Sequence, residues 1–148
     1  MILPDVNIYL AALREDQKWH KQTKDWLQIQ LALEGPVAVW DVTLASVVRI
    51  ATNAKTYKPA TPIATVVQFC DTVRSSARAI AVGPSGSFWP IFCGLVQQGK
   101  VTGPDVPDAM IAALALDQGC TLVSFDRGFR RFPGLNWKRA TALLKLRA

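Results

Sequence analysis

Short apolar runs alternate with helical stripes along this chain, and that alternation restricts the fold more than any other feature. Residues 2–5 read as a short buried strand, Val37 to Val39 as a second, Ala79 to Val82 as a third and Thr121 to Phe125 as a fourth. Between them lie stretches with helical spacing. One helix runs from about Ile8, and a second carries Trp19, Trp26, Leu27 and Leu31 on one face before Gly35-Pro36 breaks it. Leu44, Val47, Val48 and Ala51 form an i, i+3, i+4, i+7 stripe. Thr61-Pro62 reads as an N-cap followed by proline at the first helical position, ahead of a stripe of Ile63, Val66, Val67, Cys70 and Val73. Ser87 to Gln98 reads as a helix stopped at Gly99, and the run from Ala109 to Leu116 as a helix apolar on every side, hence buried, with Asp105 or a neighbour as its cap. Strands alternating with helices predict an α/β fold: a mostly parallel central sheet flanked by helices on both faces.

The acids fall at telling places on that framework. Asp5, Asp41 and Asp126 each follow a predicted strand, and Asp108 sits in the first turn of the all-apolar helix. A parallel α/β sheet binds its ligands at the carboxyl ends of its strands, so one fold assumption brings all four together. Two unit charges about 4 Å apart repel by roughly 4 kcal/mol at an effective dielectric near 20, so converging carboxylates need protons or a cation. Hard divalent ions such as magnesium or manganese prefer such oxygen donors and support phosphate chemistry. Taken one at a time, Asp41 and Asp108 also read as caps or first-turn acids offsetting a helix dipole, and Asp5 and Asp126 as loop acids.

Other features narrow the function. The 148 residues suit one domain, with 50% hydrophobic and 19% charged residues. No apolar stretch reaches the roughly 18 residues of a membrane span, and the N-terminus lacks a secretory signature, so a cytoplasmic location is expected. Three widely spaced cysteines and the single His20 argue against zinc and against a catalytic triad. The net charge of +6 is concentrated at the end of the chain: Arg127, Arg130, Arg131, Lys138, Arg139, Lys145 and Arg147 follow Asp126 with no further acid, and Phe129, Phe132 and Trp137 lie among them. Bases of this kind can hold phosphates and aromatics can stack on nucleobases; the same pattern also suits a solvated basic face.

At Asp5-Val6-Asn7, at Asp108-Ala109 within residues 103–109, and at residues 121–129, the chain resembles the PIN-domain ribonucleases. The stretch 48–53 and the tail 132–137 resemble the VapC toxins of bacterial toxin–antitoxin pairs, especially those of mycobacterial type. The resemblance runs over essentially the whole chain and implies a single PIN domain over residues 1–148. It implies a Mg2+- or Mn2+-dependent endoribonuclease acting on structured RNA such as transfer or ribosomal RNA. It also implies a VapB-type antitoxin partner and a homodimer. Asp5, Asp108 and Asp126 match the family's acidic core, and Asp41 stands where a glutamate is often found; these four are the candidate catalytic and metal-holding acids. Asn7 and Ser124 match polar positions that orient the acids. Arg49, Arg127, Arg130, Arg131 and Lys138 are candidate RNA-binding residues. Gly128 replaces a further acid common in relatives, so a second ion would have one ligand fewer. A degraded site that binds RNA or antitoxin without cleaving is the alternative, and a phosphatase-like use of Asp5 as phosphate acceptor is a third reading.

Overall fold

Residues 1–145 are described in a computed structural model. They form five strands and seven α-helices: β1 (Ile2–Pro4), α1 (Val6–Leu13), α2 (His20–Ile29), β2 (Val37–Val39), α3 (Asp41–Ala51), α4 (Ile63–Arg74), β3 (Ala79–Ala81), α5 (Phe88–Gln98), α6 (Val106–Asp117), β4 (Thr121–Ser124), β5 (Trp137–Arg139) and α7 (Ala140–Lys145). A π-helical turn, Gln30–Glu34, extends α2, and 3-10 turns at Gly103–Asp105 and Arg127–Arg131 precede α6 and follow β4. Every strand pairing is parallel, and the order is β3-β2-β1-β4-β5.

Strand periodicity divides the interior into two cores. Val37, Val39 and Val123 point to one side of the sheet, where Ile8, Trp26, Leu44, Val47 and Val66 from α1 to α4 cover them. Leu3, Ala38 and Leu122 point to the other side, against Leu95 of α5, Ala109 to Ala115 of α6, and Phe129. This is the two-period alternation of a sheet buried on both faces. Helix α6 lies within that second core, as its all-apolar sequence requires; Ala112, Ala113 and Leu114 are fully buried. It ends in a Schellman motif: Cys120 N–H donates to Ala115 O at 2.8 Å and Gly119 N–H to Leu116 O at 3.4 Å, with Gly119 at φ +63°. That tight stop turns the chain directly into β4.

The chain leaves β2 for β3 on one side of β1, and returns to β4 on the other. The reversal between β1 and β4 is the place where such sheets open a crevice. Asp5 follows β1 there and Asp126 follows β4, so the predicted fold class, and the placing of these two acids at one edge of the sheet, agree with the structure.

Three local expectations are corrected. Thr61 does not cap α4; Pro62 takes that position, and the Thr61 hydroxyl instead accepts a 2.8 Å hydrogen bond from the Arg14 guanidinium. Ile63 and Val67 of the α4 stripe are exposed, because α4 buries only the narrower face of Val66, Cys70 and Val73. Asp105 precedes α6 but its side chain makes no cap bond, being drawn to Arg131. Strand β5 was not anticipated; three residues in a basic run carry no alternation signal. Arg147, counted among the tail bases, lies outside the described residues. Among the described residues no helix is long and apolar enough to cross a membrane.

Candidate active site

Asp5 is the centre of the site. It is the N-cap of α1, so its carboxylate accepts from Val6 N–H at 2.7 Å. Ser124, at the end of β4, donates its hydroxyl to the other Asp5 oxygen at 2.6 Å. The same Ser124 Oγ accepts from Asn7 Nδ2 at 2.9 Å and from Asp126 N–H at 3.0 Å, while Asn7 Oδ1 accepts from Phe125 N–H at 3.2 Å. Asn7 and Ser124 thus fasten the ends of β1 and β4 together and fix the Asp5 carboxylate in orientation.

The carboxyl group of Asp5 is only 7% exposed. Burial pushes its pKa up to about 6; the bonds from Ser124 and Val6 oppose that rise, and the charges of Asp108 and Asp126 add to it. Asp108, half-buried in the first turn of α6, is raised as well, by burial first and then by Asp126, with Arg131 pulling the other way. The three acids are therefore close enough to repel one another. Asp126 lies exposed at the mouth, where it caps the 3-10 turn by accepting from Gly128 N–H at 2.7 Å. A Cβ at Gly128 would stand 3.2 Å from Asp126 Oδ1, so glycine there leaves the carboxylate room to make that bond.

Asp41 stands apart. It opens α3 on the same sheet edge, but its exposed carboxylate is gripped by Arg74, with Nε at 2.8 Å and Nη2 at 3.2 Å. That guanidinium holds it below the usual carboxylate range, and neither Asp5 nor Asp108 is shifted by it. What α3 does present to the acids is different. A cavity of about 100 Å3 is bounded by Asp5 and Asp108 on one side and by Thr43, Ser46 and Arg49 on the other. Thr43 and Ser46, three residues apart on α3 and outside its apolar stripe, carried no signal in the sequence. Arg49, one of the predicted RNA-binding residues, does face the acids.

The remaining predicted bases divide. Arg131 bridges two acids, with Nη1 3.2 Å from Asp105 and Nη2 3.3 Å from Asp108. Arg130 approaches the Trp137 ring, its guanidinium carbon 6.0 Å from the centroid. Arg127 and Lys138 lie exposed near the same edge.

The donor set suits a hard divalent cation: carboxylate oxygens on three elements, two of them with pKa raised first by burial and further by the neighbouring acids' charges, which a cation would offset. As placed, no three His, Cys, Asp or Glu side chains among the described residues close a metal shell, and Asp108 is turned to Arg131 instead.

Comparison with known proteins agrees with this architecture. The PIN domain family matches residues 2–135. Ribonuclease VapC31 of Mycobacterium tuberculosis is 32% identical over 132 residues, covering 89% of this chain and 93% of the relative. Ribonuclease VapC43 of the same organism is 30% identical over 138 residues, covering 93% of this chain and 94% of the relative. Among solved structures, VapBC2 from Rickettsia felis bound to a promoter DNA fragment superposes with a TM-score of 0.68 at 19% identity, covering 94% of this chain and 98% of the other. VapBC-1 from nontypeable Haemophilus influenzae gives 0.63 at 19% identity, covering 95% and 99%. The family match over nearly the whole chain and relatives at this identity establish that the chain belongs to the PIN-domain family, in its VapC group.

Proposed function

We propose that this protein is a divalent-metal-dependent endoribonuclease, the toxin of a VapBC-type pair, with Asp5, Asp108 and Asp126 as its acid core. The observation that carries the reading is the buried, upward-shifted Asp5, held by Ser124 and pressed by the charges of Asp108 and Asp126. The names of the mycobacterial relatives supply the ribonuclease activity, and the VapBC structures supply the antitoxin partner.

In this reading Asp5, Asp108 and Asp126 hold Mg2+ or Mn2+. An ion held by these three carboxylates would lower the pKa of a coordinated water and offset charge developing on the phosphate. The protein's own groups do the rest. Ser124 and Asn7 keep the Asp5 carboxylate aimed. Thr43 and Ser46 line the cleft with the acids, the Ser46 hydroxyl donating to Val42 O of its own helix, and Arg49 presents a guanidinium to the phosphate. Arg127, Arg130 and Lys138 extend the cationic surface along which the RNA backbone lies. Asp41 anchors α3 to α4 through Arg74 and is left out of the metal set. Structured RNA such as transfer or ribosomal RNA is the substrate class, an antitoxin of VapB type closes the cleft, and the active form is a cytoplasmic homodimer of single PIN domains.

Cleavage of total RNA by the antitoxin-free protein tests this, with Mg2+ or Mn2+, with EDTA, and beside Asp5→Asn. Discrete fragments that require both metal and Asp5 are expected. Two features favour the degraded-site alternative: α3 brings no carboxylate to the cleft, and Arg131 occupies Asp108. Folded protein that binds RNA but does not cut it in either metal would decide for that alternative.

A further inference from the structure

Asn7 also lines a second, open pocket of about 360 Å3, which none of the candidate acids lines. Its walls come from the α1–α2 turn, from the residue after Ser124, and from β5 with the start of α7; they include Asn7, Lys18, Trp19, Phe125 and Arg139. The size falls in the range of small-ligand sites. No acid among the described residues lines it, and the charged side chains that do are Lys18 and Arg139.

Two details give the pocket a chemical preference. The Nε of Arg139 is buried and has no hydrogen-bond partner. That Nε is closed to solvent, so what Arg139 brings to the pocket wall is its fixed positive charge, which with Lys18 favours an oxyanion there. The aromatic rings are the second detail. Trp19 and Phe125 are both half-buried, and the exposed Lys18 ammonium lies 5.6 Å from the Trp19 ring centroid. Two cations beside aromatic surface are the combination that unpaired nucleotides use.

The pocket is also tied rigidly to the acids. Asn7 forms part of its wall and bonds Ser124, which bonds Asp5; Phe125 N–H bonds Asn7. A group bound there is thereby held in register with the Asp5 carboxylate.

We propose that this pocket is a nucleotide subsite, which takes one unpaired nucleotide of the RNA next to the phosphate presented to Asp5. Its base lies against Trp19 and Phe125, and its phosphate is held by Arg139 and Lys18. The proposal rests on the ribonuclease reading for its substrate, and it makes Arg139 and Lys18 binding residues with no part in the bond-breaking step.

The test has two arms. In the first, Asp5→Asn protein in EDTA is photo-crosslinked to a single-stranded RNA oligonucleotide carrying 4-thiouridine, and the modified peptides are mapped. Adducts at Trp19 or Phe125 that disappear in Asp5→Asn/Arg139→Gln are expected. In the second arm, wild type, Arg139→Gln and Lys18→Glu are compared in steady-state cleavage. KM is expected to rise about tenfold in Arg139→Gln, the loss of one charge-assisted bond, and kcat to stay within about twofold. Lys18 is exposed, so its substitution guards against an Arg139→Gln protein that fails to fold. Adducts confined to residues 127–131, or cleavage with KM unchanged in both variants, overturn the subsite and leave the nuclease standing. Adducts at Trp19 from a wild-type protein that cuts no RNA support the pocket and overturn the nuclease. No adducts at Trp19 or Phe125 from the RNA, together with binding of an acidic peptide that is lost in Arg139→Gln, assigns the pocket to a protein partner and overturns the proposal.

Discussion

Replacing Asp5 by asparagine gives the most direct measure of how the acids are held. In the folded protein Asp5 titrates at about 6, against 3.8 when free. The folded state therefore holds its proton more tightly than the unfolded chain does. Between these two values the native protein binds more protons, so stability falls as pH rises. The stabilisation is complete below about 3.8 and gone above about 6, where the buried charge costs about 3 kcal/mol. Asparagine cannot ionise. It keeps the oxygen that accepts from Val6 but presents an amide to the Ser124 hydroxyl, which costs about 1–2 kcal/mol at every pH. That constant offset cancels when two pH values are compared. Urea unfolding of both proteins in EDTA, at about pH 4 and about pH 8, should show the variant gaining on wild type by about 3 kcal/mol between the two. Added Mg2+ should then stabilise wild type and leave the variant unchanged, since only wild type keeps the acid core. Parallel stability curves would refute the burial argument and the convergence of Asp5 with Asp108 and Asp126.

Four further outcomes follow from particular contacts. Asp41→Asn releases only the exposed Arg74 pair, so the urea midpoint should hold steady and cleavage should stay within about twofold, whereas Asp108→Asn should abolish cleavage. Ser124→Ala removes the donor that lowers the Asp5 pKa, so the lower limb of the pH–rate profile should move to higher pH, readable in steady-state cleavage. Arg131→Gln frees Asp108 from a competing cation; Mn2+ should bind several-fold tighter by calorimetry, since a nearby guanidinium discourages a second positive charge. Gly35→Ala would place a Cβ 2.5 Å from the Cβ of Arg78, and chemical denaturation should show a loss of about 1–3 kcal/mol.

The amino-acid sequence by itself determined the sheet, the buried helix α6 and the edge where the acids gather. Those features depend on period and on punctuation. Leu3 and Leu122 alternate with Ile2 and Val123, the all-apolar run 109–116 has one way to be covered, and an aspartate directly after a parallel strand can only emerge at its carboxyl end. Only the tertiary structure decided which partner each of those acids takes. Asp41 and Arg74 are 33 residues apart, Ser124 and Asp5 are 119 apart, and Asp108 meets Arg131 across 23. No local pattern encodes such pairs, because they arise from how one helix is turned against the next. Helix α3 turns Thr43, Ser46 and Arg49 toward the cleft and leaves Asp41 to a neighbouring helix. The pocket at Arg139 needed β5, a strand set in a basic run without the apolar character that marks β1 and β2, to bring a tail residue beside the α1–α2 turn. Periodicity is a property of the chain, and a side chain's partner is a property of the packed fold.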